Sequence, residues 1–533
     1  MQKSETLSLT HQDASEDLAR DVKKVAKGAG ISFTGSAIGR CLFFAYQVII
    51  ARFFSAEAFG LFTLGLTVVR IADILARLGL NTGAMRFVSI YRKDDHGRVK
   101  GILIISSVIS FISGIALGVV VYFCAGYISE YVFHKPELTD IVKTFAPCVP
   151  FMATMMVIAM ASQGFHTTKY NAYIKDIIQP SANIVLTGIF LYLGFGLLWI
   201  IAAFVISHAI ALLAGFYFIA RQFPGMIKKT IKPVYETKNL LSYSIPMLFT
   251  GFLQLLILWV NIIMLGYMKS SIDVGIYRAA SQIPIVLTII LTASNSIYAP
   301  AIAEMHHLGQ AERLNKIFQT TTRWVFLLTL PVTLVLIFSP GEVMAIFGHD
   351  YVEVGIPVLM IMAFAQFVNC VTGGVGFTLS MTGKQHVEMY NSLVMVAINI
   401  AMNYFLIPTH GCLGAAIATG TSIVAINLVR LAEVYFLCKI QPYNMGYLQW
   451  IICGIIAGVA LYFLDHYVLI DDYLLINNYL LNHPILVRLV SNSLIVCVIF
   501  VVGFFINGIT KEDRFIFDAV AIKFKFKMRI SRV

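Results

Sequence analysis

The sequence predicts an all-α polytopic membrane protein of about 14 transmembrane helices, arranged as two pseudo-symmetric six-helix lobes plus two C-terminal helices. Three observations lead there. Of 533 residues, 58% are hydrophobic and only 13% charged, whereas soluble domains carry roughly 25% charged residues; a soluble fold is excluded. The apolar residues run in blocks of roughly twenty, the length a helix needs to cross a hydrocarbon core. The chain also repeats its turn residues at one fixed offset of 215 positions.

Taken in order, residues 1–27 are polar and hold Glu5, Asp13, Glu16, Asp17 and Asp21, which is not the pattern of a signal peptide. They read as a cytoplasmic amphipathic N-terminus, with Leu18, Val22 and Val25 at helical spacing. The first lobe, 28–222, holds spans near 28–54, 57–80, 101–126, 140–163, 177–198 and 200–220. A cytoplasmic linker, 223–239, leads to the second lobe, 240–440, with spans near 240–267, 273–300, 322–346, 355–382, 388–408 and 412–438. A last pair near 447–467 and 485–508 fills 441–508. The basic tail, 509–533, alternates Lys523, Lys525 and Lys527 with Phe524 and Phe526, suiting either an anionic leaflet or a solvated disordered end.

The net charge of +11 would suggest nucleic acid in a soluble protein, but here it sorts by membrane side. Of 39 Lys and Arg, 29 fall in the termini and alternate loops, against Arg52, Lys135 and Lys269 in the opposite loops. Positive residues stay inside, so both termini are expected in the cytoplasm, and nucleic acid is not a partner. The eight cysteines lie in apolar segments without metal-ligand spacing and read as packing residues.

Gly60 and Gly275, Arg98 and Arg313, Lys169 and Lys384, and Gly196 and Gly411 all stand 215 apart. These matches sit in loops and turns, where apolar composition bias is least. Six spans per half is an even number, so the halves run parallel, related by an axis along the membrane normal.

Polar residues inside the spans mark the candidate site. On the second span Thr63, Arg70, Asp73, Arg77 and Asn81 form one stripe at 3.6 residues per turn. The first span adds Ser36, Arg40 and Gln47. The seventh adds Thr250, Gln254 and Asn261, and the eighth adds Arg278, Ser281, Gln282, Thr292 and Ser296. An ion at mid-membrane costs roughly 2.5–3.5 kcal/mol on insertion scales, so such residues serve a pathway or a pair. Asp73 can pair with Arg70 or Arg77 on its own helix; Arg40 and Arg278 have no evident acidic neighbour at depth in the sequence. The predicted substrate-binding set is therefore Arg40, Arg70, Arg77, Arg278, Gln47, Gln254, Asn261 and Gln282, with Asp73 for coupling. An internal ion pair that fixes packing competes for Asp73 and Arg77. Arg430 with Glu433 reads as a snorkelling pair, and His208 as a hydrogen-bonded packing residue. Pro147, Pro150, Pro246, Pro284 and Pro331 are candidate bends, that at Pro246 offering a side entrance for a lipid.

The run Gly39-Arg40, Ala51-Arg52-Phe53, Glu57-Ala58-Phe59-Gly60-Leu61-Phe62 and Leu78-Gly79-Leu80, with Val274-Gly275-Ile276-Tyr277, Pro300, Ile407-Pro408, Gly411, Gly414-Ala415-Ala416 and Ala418-Thr419, resembles the polysaccharide transporter family. The resemblance covers nearly the whole chain. It implies the multidrug/oligosaccharidyl-lipid/polysaccharide exporter superfamily and, within it, the Wzx-like O-antigen and capsule repeat-unit flippases. Lipid II flippases of that superfamily use arginines of the first, second and eighth helices, and Arg40, Arg70 and Arg278 stand in matching stretches.

The expected function is therefore translocation of a polyprenyl-diphosphate-linked oligosaccharide across the cell inner membrane by alternating access. No cofactor is expected; proton, sodium or membrane potential remain open as driving force. Expected partners are the lipid-linked glycan, membrane lipids and polysaccharide polymerase or chain-length proteins, with a monomer as the working unit. Two other functions compete. A cation-coupled multidrug antiporter would need a mainly acidic cavity, and a glycan polymerase or ligase would need a larger external loop than Ser129–Thr139, Pro340–Val354 or Val468–Pro484. A Walker loop is absent, since Gly383-Lys384 is followed by Gln385.

Overall fold

The computed structural model describes residues 34–226, 228, 230–467 and 484–507, and these are helical with short connections. The amphipathic ends predicted at 18–25 and 523–529, and the loop after Tyr467, lie outside the described residues. The helices are α1 (Thr34–Phe53), α2 (Ala56–Arg77), α3 (Leu80–Tyr91), α4 (His96–Tyr127), α5 (Leu138–Phe145), α6 (Cys148–Gln163), α7 (Lys169–Ala172), α8 (Gln179–Tyr192), α9 (Leu197–Gln222) and α10 (Thr237–Met268). They continue as α11 (Ser271–Gln282), α12 (Ile285–His307), α13 (Ala311–Phe338), α14 (Pro340–Met344), α15 (Val352–Val371), α16 (Val375–Met381), α17 (Gln385–Cys438), α18 (Leu448–Tyr467) and α19 (Pro484–Asn507).

Ten helices among the described residues are long and apolar enough to cross a membrane, and the bent pair α5 and α6 makes an eleventh crossing. The 54 residues of α17 are twice what a bilayer needs, and Gly411 interrupts them with φ 54° and ψ −131°. That conformation is open to glycine at little steric cost. Glu388 reaches Arg430 across the turn, so α17 is a hairpin of two spans. The 32 residues of α10 occupy the predicted span 240–267, and the run from α7 through a π-helical turn at Tyr173–Ile178 into α8 occupies the predicted span 177–198.

Prolines break the chain unevenly. Pro147 stands at a 43° bend between α5 and α6, and Pro284 separates α11 from α12. Pro246 and Pro331 lie inside helices that run on through them.

The chain packs as two compact units, Met1–Gly275 and Ile276–Val533. In the first, α4 and α9 both pack on α6, with Val99, Ile102, Val157, Ile158 and Ala211 fully or almost fully buried among them. Helix α10 lies on α2 and α3, which groups it with this unit. In the second, Phe326 of α13, Trp450 and Ala457 of α18, and Val496 and Phe500 of α19 form one cluster. Large apolar side chains such as Val120, Phe123, Leu213, Phe405, Ile455 and Phe505 remain exposed along the outer faces of these helices. Hydrocarbon must cover them in a membrane; in water, that much apolar surface would drive association.

Gly60 and Gly275 meet at a close crossing of α2 and α11. A methyl group on Gly60 would stand 1.7 Å from the Ser271 carbonyl oxygen, and one on Gly275 would stand 2.2 Å from that of Ala56. Ala56 and Ser271 are themselves 215 apart, so the crossing is reciprocal between the two repeats. Only glycine lets the two backbones approach this closely.

Candidate functional site

Helix α2 carries the polar stripe, and its geometry divides that stripe into two parts. Toward its start, Thr63 and Thr67 return their hydroxyls to the carbonyls of Phe59 and Thr63 at 2.8 and 2.7 Å. Further along, Asp73 is 1% exposed and takes a two-pronged ion pair from Arg77, whose Nε donates to Oδ1 at 2.9 Å and whose Nη2 meets Oδ2. Of the two partners the sequence offered Asp73, the structure chooses the one a full turn away. This satisfies both charges within one helix, as a carboxylate and a guanidinium fork do best.

Arg70 is thereby released for a different role. Its guanidinium carbon stands 5.6 Å from the ring centre of Trp259 on α10. Its Nε is buried with no hydrogen-bond partner among the described residues. A desolvated cation over an indole face gains about 2 kcal/mol. The stripe therefore holds two arginines and one aspartate, and the charge left over sits on Arg70.

Gln47 of α1 and Asn261 of α10 are buried, at 2% and 6% exposure. Asn81, just beyond α2, is half-buried, with Nδ2 3.5 Å from the Thr82 hydroxyl. Arg40 stands exposed on α1, next to Gly39, which packs on the backbone of Asp176; Ser36 donates to the Asp176 carboxylate at 3.0 Å. In the second unit, Arg278 is half-buried on α11, and its carbonyl accepts from Gln282 Nε2 at 3.0 Å and from the Ser281 hydroxyl at 3.3 Å. The side chains of Thr250, Gln254 and Ser296 lie outside what is described. The structure thus brings Arg70, Asp73 and Arg77 together with Trp259.

Two further readings of single residues are settled here. His208 is buried, its Nδ1 2.8 Å from the Phe204 carbonyl and its ring 4.4 Å from that of Phe204, which is packing. Arg430 does not pair with Glu433. Its Nε donates to Glu388 at 2.9 Å, and Glu433 accepts from Asn391. The hairpin explains this: the outgoing half of α17 brings the Glu388 carboxylate to Arg430 on the returning half, while Glu433 lies less than one turn further along Arg430's own half.

Sequence reasoning missed Trp259, Asp176 and the contact of Gly60 with Gly275. Trp259 precedes Asn261 by two positions, and an aromatic beside a polar intramembrane residue was the available signal. Among the described residues, no group of three or more His, Cys, Asp or Glu gathers as a metal site would require.

The family model described as polysaccharide biosynthesis protein matches residues 25–306, more than half of the chain. The chain belongs to that family. A second model, MatE, matches residues 246–405. Among relatives, the stage V sporulation protein B of Bacillus subtilis is 22% identical, the match covering 81% of this chain and 88% of that protein. The putative O-antigen transporter of Shigella flexneri is 22% identical over 72% of this chain and 93% of its own length. Among solved structures, the lipid II flippase MurJ in an inward closed conformation superposes with TM-score 0.66 at 15% identity, covering 88% of this chain and 97% of that one. An inward-facing multidrug resistance MATE transporter of the MOP superfamily gives TM-score 0.61 at 15% identity, over 75% and 94%. The chain is thus a multi-pass membrane protein of the polysaccharide biosynthesis family, similar to proteins named as transporters and flippases.

Proposed function

We propose that this protein flips a polyprenyl-diphosphate-linked oligosaccharide from the cytoplasmic to the outer leaflet of the inner membrane by alternating access. The observation that carries the reading is the charge on Arg70: buried beside Trp259, and left over after Asp73 and Arg77 neutralise each other. A planar fork at depth suits an anionic diphosphate. Moving that headgroup is the hard step, because a hydrated diphosphate-sugar cannot enter hydrocarbon while its prenyl tail stays there without cost. Arg40 and Arg278 complete the grip in this reading, with Arg77, Gln47, Gln254, Asn261 and Gln282 lining the path.

Two lobes, 28–222 and 240–440, rock about the substrate, with both termini in the cytoplasm. Asp73 releases and rebinds a proton or sodium ion as they move, or the membrane potential drives the step. Roughly 2.3 kcal/mol per charge per 100 mV favours exit of an anion from a negative interior. The working unit is a monomer that delivers its product to polymerase and chain-length proteins. An antiporter for organic cations would want the opposite sign of charge beside Trp259. The test is transfer of labelled lipid-linked oligosaccharide in proteoliposomes: protection from an external glycosidase should change with time only when the protein is present. Equal rates in protein-free liposomes would end the proposal.

A further inference from the structure

Where α2 begins and α10 ends, the first unit opens into a cleft of about 380 Å³. Its walls carry Glu57, His134, Glu137, Tyr267 and Lys269. Tyr267 is 53% exposed, and its ring lies 6.0 Å from that of His134. Lys135 stiffens one side: its Nζ donates to the carbonyls of Phe133, Gly266 and Lys269 at 3.0, 2.6 and 2.8 Å, closing the C-terminal end of α10. Burial pulls Lys135 below the ordinary lysine range, and the Asp273 and Glu137 carboxylates act against that.

The lining identifies the ligand by elimination. A diphosphate would find Lys135 already turned to three backbone carbonyls and Lys269 balanced by Glu57, Glu137 and the nearby Asp273, so the lining offers no excess of positive charge to hold it. A prenyl chain would need a continuous apolar wall, which this cleft lacks. A polyhydroxylated ring fits: its C–H face lies on an aromatic ring, its hydroxyls donate to carboxylates and accept from an ammonium. The volume falls within the range of sites for small ligands. Ser271 also lines the cleft, and its carbonyl belongs to the Gly60–Gly275 crossing, so the backbones are sealed tight at the cleft's edge.

We propose that this cleft is a glycan-binding site on the extracytoplasmic face that takes the neutral sugar portion of the lipid-linked substrate once it has crossed. The proposal rests on the flippase reading for its sidedness and its substrate. The site holds the sugar outside the closed crossing, so the headgroup does not slip back while the lobes reset.

The experiment is saturation-transfer difference NMR on the full-length protein in nanodiscs, with triacetylchitotriose, maltotriose and trigalacturonate as probes. Saturation should pass to a neutral trisaccharide, with a weaker signal for the triuronate. The signal should fall at least threefold in Tyr267→Ala and in the Glu57→Gln, Glu137→Gln double variant, both changed at exposed positions. Thermal melting of each variant checks its fold. Signal for neither neutral sugar, or signal unchanged in both variants, overturns the proposal. Flipping in proteoliposomes is measured on the same preparations. Protein that flips but gives no sugar signal removes the cleft alone; protein that binds sugar at the cleft but flips nothing removes the transport reading and leaves the site.

Discussion

Asp73 and Arg77 stand one turn apart on α2 and close on each other as a buried two-pronged ion pair, while Arg70, on the same stripe, turns instead to Trp259. That division of partners separates a residue pair that holds the helix from one that is free to act. It also makes the two roles separable by mutation.

Removing Arg77 alone should strand the Asp73 carboxylate. Breaking a buried pair by deleting one partner costs about 3–5 kcal/mol, so Arg77→Met should lower the melting temperature of the detergent-solubilised protein far more than Asp73→Asn combined with Arg77→Met. If the single and double variants melt alike, the pair is not a structural unit.

Coupling gives Asp73 a second expected outcome. In Asp73→Asn, flipping should lose its dependence on a pH or sodium gradient, measured in proteoliposomes with each gradient imposed separately. Wild-type rate with unchanged ion dependence would rule Asp73 out and leave the membrane potential as the driver.

At the Gly60–Gly275 crossing, a single methyl group has nowhere to go, because both neighbours are backbone carbonyls. Overpacking of this kind costs about 1–3 kcal/mol. Gly60→Ala and Gly275→Ala should each reduce thermal stability, and since the contact is reciprocal, the double variant should lose less than the sum of the two. Strict additivity would mean that the helices do not meet in the protein as it sits in a membrane.

Sidedness is tested by labelling. A cysteine at Glu137, exposed at the end of α4's connection to α5, should react in intact cells with a membrane-impermeant maleimide, while one at Lys316 should react only after permeabilisation. The reverse pattern would invert the topology.

Much of this was legible in the sequence. Apolar block length reported the spans, because hydrocarbon thickness acts on each helix separately. The stripe on α2 was legible because helical periodicity places Thr63, Arg70, Asp73 and Arg77 on one side whatever surrounds them. Partner choice was not. Arg430 has Glu433 three positions away in sequence, yet Glu388, 42 positions away, faces it across the hairpin at Gly411. Trp259 under Arg70 is likewise a property of how α10 lies on α2, which no local pattern encodes.

The central claim is that Arg70 grips an anionic headgroup, and the most direct measurement compares flipping by wild type, Arg70→Lys and Arg70→Ala. Labelled lipid-linked oligosaccharide is followed to the outer leaflet of proteoliposomes at equal protein content. Lysine keeps the charge but loses the fork, so the rates should fall in the order wild type, lysine, alanine, with alanine at least tenfold down and its melting temperature within a few degrees of wild type. Alanine at full rate, or alanine that fails to insert rather than fails to flip, would contradict the account.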